Sequence, residues 1–250
     1  MSRRIANATG LYLEGIRDGH LREALDKYTG ARYTQHSTGV ADGKDGFIAF
    51  FEPFLERNPD RDIRVVRAIE DGRFVFCHVH QALNGGAQRW VTADLFDTDD
   101  EHKVIEHWDV IQEDVGPASG RTMVSGPTEI DATVATEHSK DVVRRFADEV
   151  LLGDGAELKR YVAHDIQQHR PGGADGIDAF AAQVGELEYL AVHRLMGQGD
   201  FVVLYSHVRR AEAELAWFDI LRLRDGLIVE HWDVAETIGP PDSWNNSGKF

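Results

Sequence analysis

One five-residue string, EHWDV, occurs twice in this chain, at Glu106 to Val110 and again at Glu230 to Val234. The repetition extends well beyond it. Gln35 to Phe47 reads QHSTGVADGKDGF and Gln168 to Phe180 reads QHRPGGADGIDAF, an offset of 133 residues (His36 to His169). Tyr28 and Tyr161 keep that offset. Gly72 to His80 matches Gly199 to His207 at an offset of 127, and Asp94 matches Asp219 at 125. Ordered matches whose offset drifts slowly are the mark of a duplicated domain with shortened loops. The 250 residues therefore divide into two domains of ordinary size rather than one large one.

The expected division is residues 1–118 for the first copy, a linker over 119–128, 129–240 for the second copy, and a tail over 241–250. The linker region, GPASGRTMVSGPT from Gly116, is rich in Gly, Pro and Ser and has no periodicity. The formal net charge of -16 excludes electrostatic attraction to nucleic acid or to anionic membranes. One cysteine, Cys77, precludes an intrachain disulfide. Arg3 and Arg4 are followed by no apolar leader, and no stretch has the length of a membrane span. The expectation is a soluble cytoplasmic protein.

Within each copy, helical spacing comes first. Val142, Val143, Phe146, Val150 and Leu151 share one face, and Phe47, Ile48, Phe51, Phe54 and Leu55 share another. Strands follow, rich in aromatic and β-branched residues, over 74–83, 90–96 and 104–112. Asp71-Gly72 and Asp225-Gly226 read as hairpin turns. Helices followed by antiparallel strands predict an α+β domain with helices covering one face of a curved sheet.

Alternation along the strands predicts the pocket. One row is Phe74, Phe76, His78 and His80; a second is Trp90, Thr92, Asp94 and Phe96; a third is Ile105, His107, Asp109 and Ile111. The second copy gives Phe201, Val203, Tyr205 and His207, then Leu215, Trp217, Asp219 and Leu221, then Val229, His231 and Asp233. Each row sets polar groups among large apolar ones, the composition of a small-molecule pocket. His36, His80, Asp94 and His107 are the candidate catalytic set of the first copy. His169, His207, Asp219 and His231 are that of the second. Histidine passes protons near neutral pH, and a carboxylate among aromatic rings loses solvation and becomes a usable acid or base. Trp108 and Trp232 fall on the opposite strand face and are expected to pack. Asp42-Gly43 and Asp175-Gly176 are expected to shape a loop and cap the following helix. Trp217 in place of Thr92 shrinks the second cavity if its side chain points inward.

These motifs resemble the SnoaL-like proteins of the NTF2-like superfamily, in particular the group described as catalysing aldol condensations. The resemblance covers nearly the whole chain, twice, although family members usually have one domain. It implies two tandem NTF2-like cones, each a curved antiparallel sheet packed against about three helices, expected to pack as an intrachain pseudo-dimer and able to form homo-oligomers. It also implies cofactor-free acid–base chemistry on a small, mostly apolar carbonyl compound, of the aldol condensation or polyketide-cyclase type. Two alternatives stay open: a non-catalytic binder of small molecules, and a metal-dependent lyase or oxygenase. Three histidines and a carboxylate also make a ligand set for a divalent metal.

Overall fold

The computed structural model describes residues 1–116 and 121–250; residues 119 and 120 of the expected linker lie outside them. The chain forms two units, Met1–Glu113 with Gly239–Phe250, and Asp114–Ile238. Each unit thus contains one repeat and the segment that follows the other repeat.

In the first unit, α1 (Arg3–Gly10) runs into a π-helical stretch (Leu11–Arg17), followed by α2 (Leu21–Tyr28), β1 (Thr29–Gln35), α3 (Gly43–Arg57), β2 (Arg61–Asp71), β3 (Phe74–Leu83), β4 (Gln88–Thr98) and β5 (Val104–Glu113). The second unit repeats the series: α4 (Thr136–Phe146) with a π-helical stretch (Ala147–Leu151), α5 (Leu158–Tyr161), β6 (Val162–Gln168), α6 (Ile177–Gly185), β7 (Glu188–Gln198), β8 (Phe201–Arg210), β9 (Ala213–Arg224) and β10 (Leu227–Thr237). The strand orders are β1-β5-β4-β3-β2 and β6-β10-β9-β8-β7, the same topology twice.

Both sheets are mixed rather than purely antiparallel, because β1 lies parallel to β5 and β6 parallel to β10. Neither β1 nor β2 stands out in the sequence, since TGARYTQ and RDIRVVRAIED carry polar residues at positions that strand patterning leaves apolar. The turn glycines behave as their dipeptides predict. Asp225 and Gly226 both take positive φ, 54° and 76°, the conformation of a tight hairpin.

The repeated Ala-Asp-Gly has one job in both units. Asp42 sits at the start of α3 but does not cap it; its Oδ1 accepts from the Gln35 backbone N–H at 2.8 Å. Asp175 accepts from Gln168 N–H at 3.0 Å in the same way. The aspartate ties the loop back to the end of β1 or β6. The glycine beside it, at φ 82° or 94°, makes the reversal that an L side chain resists.

The helices cover one face of each sheet. In the first unit Leu11, Tyr12, Leu25, Tyr28, Phe47 and Ile48 pack on Val75, Cys77, Val79 and Phe96. In the second, Val143, Phe146, Val150, Leu158 and Phe180 pack on Val202, Leu204, Trp217 and Leu221. No helix among the described residues is long and apolar enough to cross a membrane.

Candidate active site

Cross-strand register decides which side chains share the helix-covered face. Asp94 lies opposite Asp109 on β5 and opposite Cys77 on β3, while His107 lies opposite Phe96. Opposed residues point to the same side of a sheet, so Asp94, His107 and Asp109 all face the helices with Cys77 and Val79. His78 and His80 are opposite Ala93 and Val91 and face the other way. The expected convergence of His80 with Asp94 is therefore corrected: the β3 row was one residue out of phase with the other two. His80 lies against Arg64, with Nδ1 at 3.4 Å from a guanidinium nitrogen. The same shift removes His207: Asp219 is opposite Leu204, three residues before it on β8, so His207 faces the other way, and its Nε2 bonds Glu214 at 2.9 Å.

His36 and His169 are also on the other face. The backbone N–H of His36 donates to the His107 carbonyl, and that of His169 to the His231 carbonyl, both at 2.9 Å. The preceding glutamine takes the pocket side and the histidine takes the back. There His36 stacks on Trp108 with ring centroids 4.8 Å apart, and its Nε2 meets Glu106 at 2.9 Å. His169 stacks on Trp232 at 4.5 Å and meets Glu230 at 2.8 Å. An arginine completes each group, Arg32 on Glu106 and Arg222 on Glu230. The following segment closes it: Gly248 O accepts from His36 Nδ1 at 2.7 Å, and Ser125 Oγ lies 3.1 Å from His169 Nδ1. Strand alternation thus splits EHWDV in two. Glu and Trp build a clamp for the exchanged segment, while His and Asp face the helices.

What remains in the first unit is compact. Asp94, 1% exposed, receives His107 Nε2 at 2.9 Å, the Tyr12 hydroxyl at 3.1 Å and the Thr92 hydroxyl at 2.6 Å. His107 Nδ1 lies 2.9 Å from Gln35 Oε1, and Gln35 Nε2 donates to the Tyr33 hydroxyl at 3.3 Å. That chain orients the amide, so Nδ1 of His107 carries a proton. A single further proton is then shared between Nε2 and Asp94. Burial, above all, pushes the Asp94 carboxyl up, against the pull of the His107 bond and charge; Asp109 adds a smaller push. Tyr12 and Tyr33 are held neutral, their pKa values raised by burial first and by the two aspartates next.

This group forms part of the wall of a cavity of about 340 Å³. Leu11, Ile16, Phe47, Phe51, Phe54 and Trp90 supply the apolar lining, and Tyr12, Tyr33, Asp94, His107 and Asp109 the polar end. The volume is at the lower end of the range for small-molecule sites.

The second unit keeps the pair but sets a tryptophan against it. His231 Nε2 meets Asp219 at 2.9 Å, but the Trp217 indole donates to Asp219 at 3.0 Å and lies in the hydrophobic core. A different tyrosine, Tyr189 on β7, supplies the hydroxyl at 3.0 Å. Gln168 turns away to the Ala174 carbonyl, and neither its Oε1 nor His231 Nδ1 has a partner among the described residues. A polar cavity of about 310 Å³ in this unit is lined by Gln168, Arg170, Gln183 and Glu186, and neither Asp219 nor His231 reaches it.

Sequence reasoning missed Tyr12 and Tyr33 because neither belongs to the repeated strings. Gln35 belonged to one, and its identity in both copies was the signal available. Among the described residues no three histidine, cysteine or carboxylate side chains gather as a metal would require.

Each unit, with its five-stranded mixed sheet and helical cover, is an NTF2-like domain, and the chain carries two in tandem. The chain belongs to the SnoaL-like domain family, which matches residues 11–107 and 143–231. Among solved structures it is similar to a proposed ketosteroid isomerase from Kribbella flavida DSM 17836, with 21% identity over 44% of this chain and 87% of that one, TM-score 0.37. It is also similar to a proposed polyketide cyclase from Bacillus cereus ATCC 10987 (14% identity, 44% and 74% covered, TM-score 0.40). A third is IdmH, a proposed polyketide cyclase from Streptomyces antibioticus (16% identity, 44% and 93% covered, TM-score 0.37). No curated protein matches the chain.

Proposed function

We propose that the first domain is an acid–base catalyst acting on a small, mostly apolar carbonyl compound, in an aldol condensation or cyclisation. One observation carries the reading: a buried Asp94–His107 pair at 2.9 Å on the wall of a cavity lined largely by aromatic and aliphatic side chains. In its ionised form Asp94 removes the proton next to the substrate carbonyl. His107, then an imidazolium, lies beside the enolate and stabilises its charge. The neutral Tyr33 hydroxyl, which accepts from Gln35, has its own proton to offer the substrate oxygen. After the carbon–carbon bond forms, the proton on Asp94 returns to the alkoxide, leaving the pair as it began.

A second reading, a non-catalytic binder, draws on the same cavity, because the Asp94 carboxylate already accepts from Tyr12 and Thr92 and is bonded to His107. Asp94→Asn separates the two. In a turnover screen against keto-ester and polyketide-like compounds, a catalyst loses about 10²–10⁴-fold in kcat/KM. A binder holds its ligand with unchanged affinity and shows no turnover before or after the substitution.

A further inference from the structure

The segment Gly239–Phe250 sets a charged group against Asp109, one of the two carboxylates that line the first domain's cavity. It runs along the loop after β1. Asn245 N–H donates to Thr38 O at 2.9 Å, and Asn246 Nδ2 donates to Ser37 O at 2.6 Å and Val40 O at 2.9 Å. Ser37 and Val40 themselves line the cavity. Gly248 then bonds His36, and Lys249 turns inward. Lys249 is 2% exposed, and its Nζ donates to both the carbonyl and Oδ1 of Asp109, each at 3.0 Å.

A buried ammonium is costly unless it is paired with good geometry. Here its partner is one of two carboxylates placed directly opposite each other on neighbouring strands. Two such carboxylates resist ionising together, so whichever ionises first raises the other. The charged and titratable groups facing the pair are Lys249 from the tail, His107 on β5, Tyr33 on β1, Tyr12 from the π-helical stretch and the Cys77 thiol opposite Asp94 on β3. Lys249 is the one fixed cation among them, and it touches Asp109 alone of the two.

We propose that Lys249 is a positioning residue: it makes Asp109 the permanent anion, and so leaves Asp94 as the carboxyl that exchanges its proton with His107 and with the substrate. Burial pushes Asp109 up, yet the Lys249 ammonium, His107 and the bonds from Lys249 and Ser37 outweigh it and hold the carboxyl below its ordinary range. Asp94, with no cation of its own besides His107, moves the other way. The second domain supplies the contrast. Asp233 occupies the place of Asp109, its nearest cation is Arg170 at 3.7 Å, and its carboxyl is raised by burial.

The inference rests on the proposed function only for its meaning, and its test does not need a substrate. The full chain, carrying carbon-13 in its aspartate carboxyls, is titrated by NMR, with Asp109→Asn and Asp94→Asn assigning the two signals. In Lys249→Met, Asp109 is expected to titrate about 1–3 pH units higher than in the parent, and Asp94 lower. Lys249→Arg, which keeps the charge, retains the parental order. If Asp109 titrates unchanged in the Met variant, or rises as far in the Arg variant as in the Met variant, the assignment is overturned. Failure of the proposed function shows separately, as turnover that survives Asp94→Asn.

Discussion

The two domains hold the same aspartate–histidine pair at the same 2.9 Å separation, but the first pair lines a cavity of about 340 Å³ whereas the second packs against Trp217. The difference sits two residues back along the strand. Thr92 donates a hydroxyl to Asp94, whereas Trp217 donates an indole N–H to Asp219 and packs its ring into the hydrophobic core. A glutamine fixes the His107 tautomer in the first domain, and the matching glutamine in the second has turned to a loop carbonyl. A cation sits on Asp109, and none sits as close on Asp233. A motif that persists through duplication therefore preserves the sheet and its clamp, while the side chains around it decide whether the site can take a ligand.

The contrast is tested most severely by pairing Asp94→Asn with Asp219→Asn on one substrate. The first is expected to lose about 10²–10⁴-fold in kcat/KM and the second to keep the parental value. Equal losses would refute the asymmetry.

Exchanging the residues that set the space comes next. Trp217→Thr removes a large buried ring from a packed core and is expected to cost the second domain about 3–5 kcal/mol in denaturant unfolding. Thr92→Trp forces a ring into a fully buried position beside Asp94 and is expected to cost the first domain about 1–3 kcal/mol by overpacking.

Asp109→Asn and Asp233→Asn should move stability in opposite directions. The folded-state pKa of Asp109 is lowered, so its stabilisation is present at neutral pH and lost as the pH falls through that value. Removing it also leaves the Lys249 ammonium without its carboxylate, a loss of about 3–5 kcal/mol. The folded-state pKa of Asp233 is raised, mainly by burial, so its ionised form opposes folding at neutral pH and the penalty fades in acid. Asp233→Asn is expected to stabilise at neutral pH and to be indifferent at low pH. Thermal unfolding across the acid range reads both signs.

The smallest contrast is expected at the clamps. His36→Ala and His169→Ala each remove a buried hydrogen-bonded ring stacked on a tryptophan, and each should cost about 1–3 kcal/mol. A large inequality would show that only one exchanged segment matters to its domain.

Much of this was legible in the chain. Repetition alone marked out two domains, because matched strings in matched order require matched folds. Alternation placed Asp94 with His107, and Trp108 on the opposite face, because the strand period is two and both strands run through without a break between these residues. The difference between Thr92 and Trp217 also stood in the sequence, and the structure shows the indole pointing inward. Tertiary structure decided the rest. The phase of β3 against β4 follows from the hairpin that joins them, and a shift of one residue there sent His80 and His207 to the far face. The parallel pairing of β1 with β5 turned Gln35 inward and His36 outward, a choice that no local pattern around them encodes. Tyr12 and Lys249 reached the two aspartates from more than 80 residues and from 140 residues away. Such meetings depend on how whole elements pack, and sequence spacing carries no record of them.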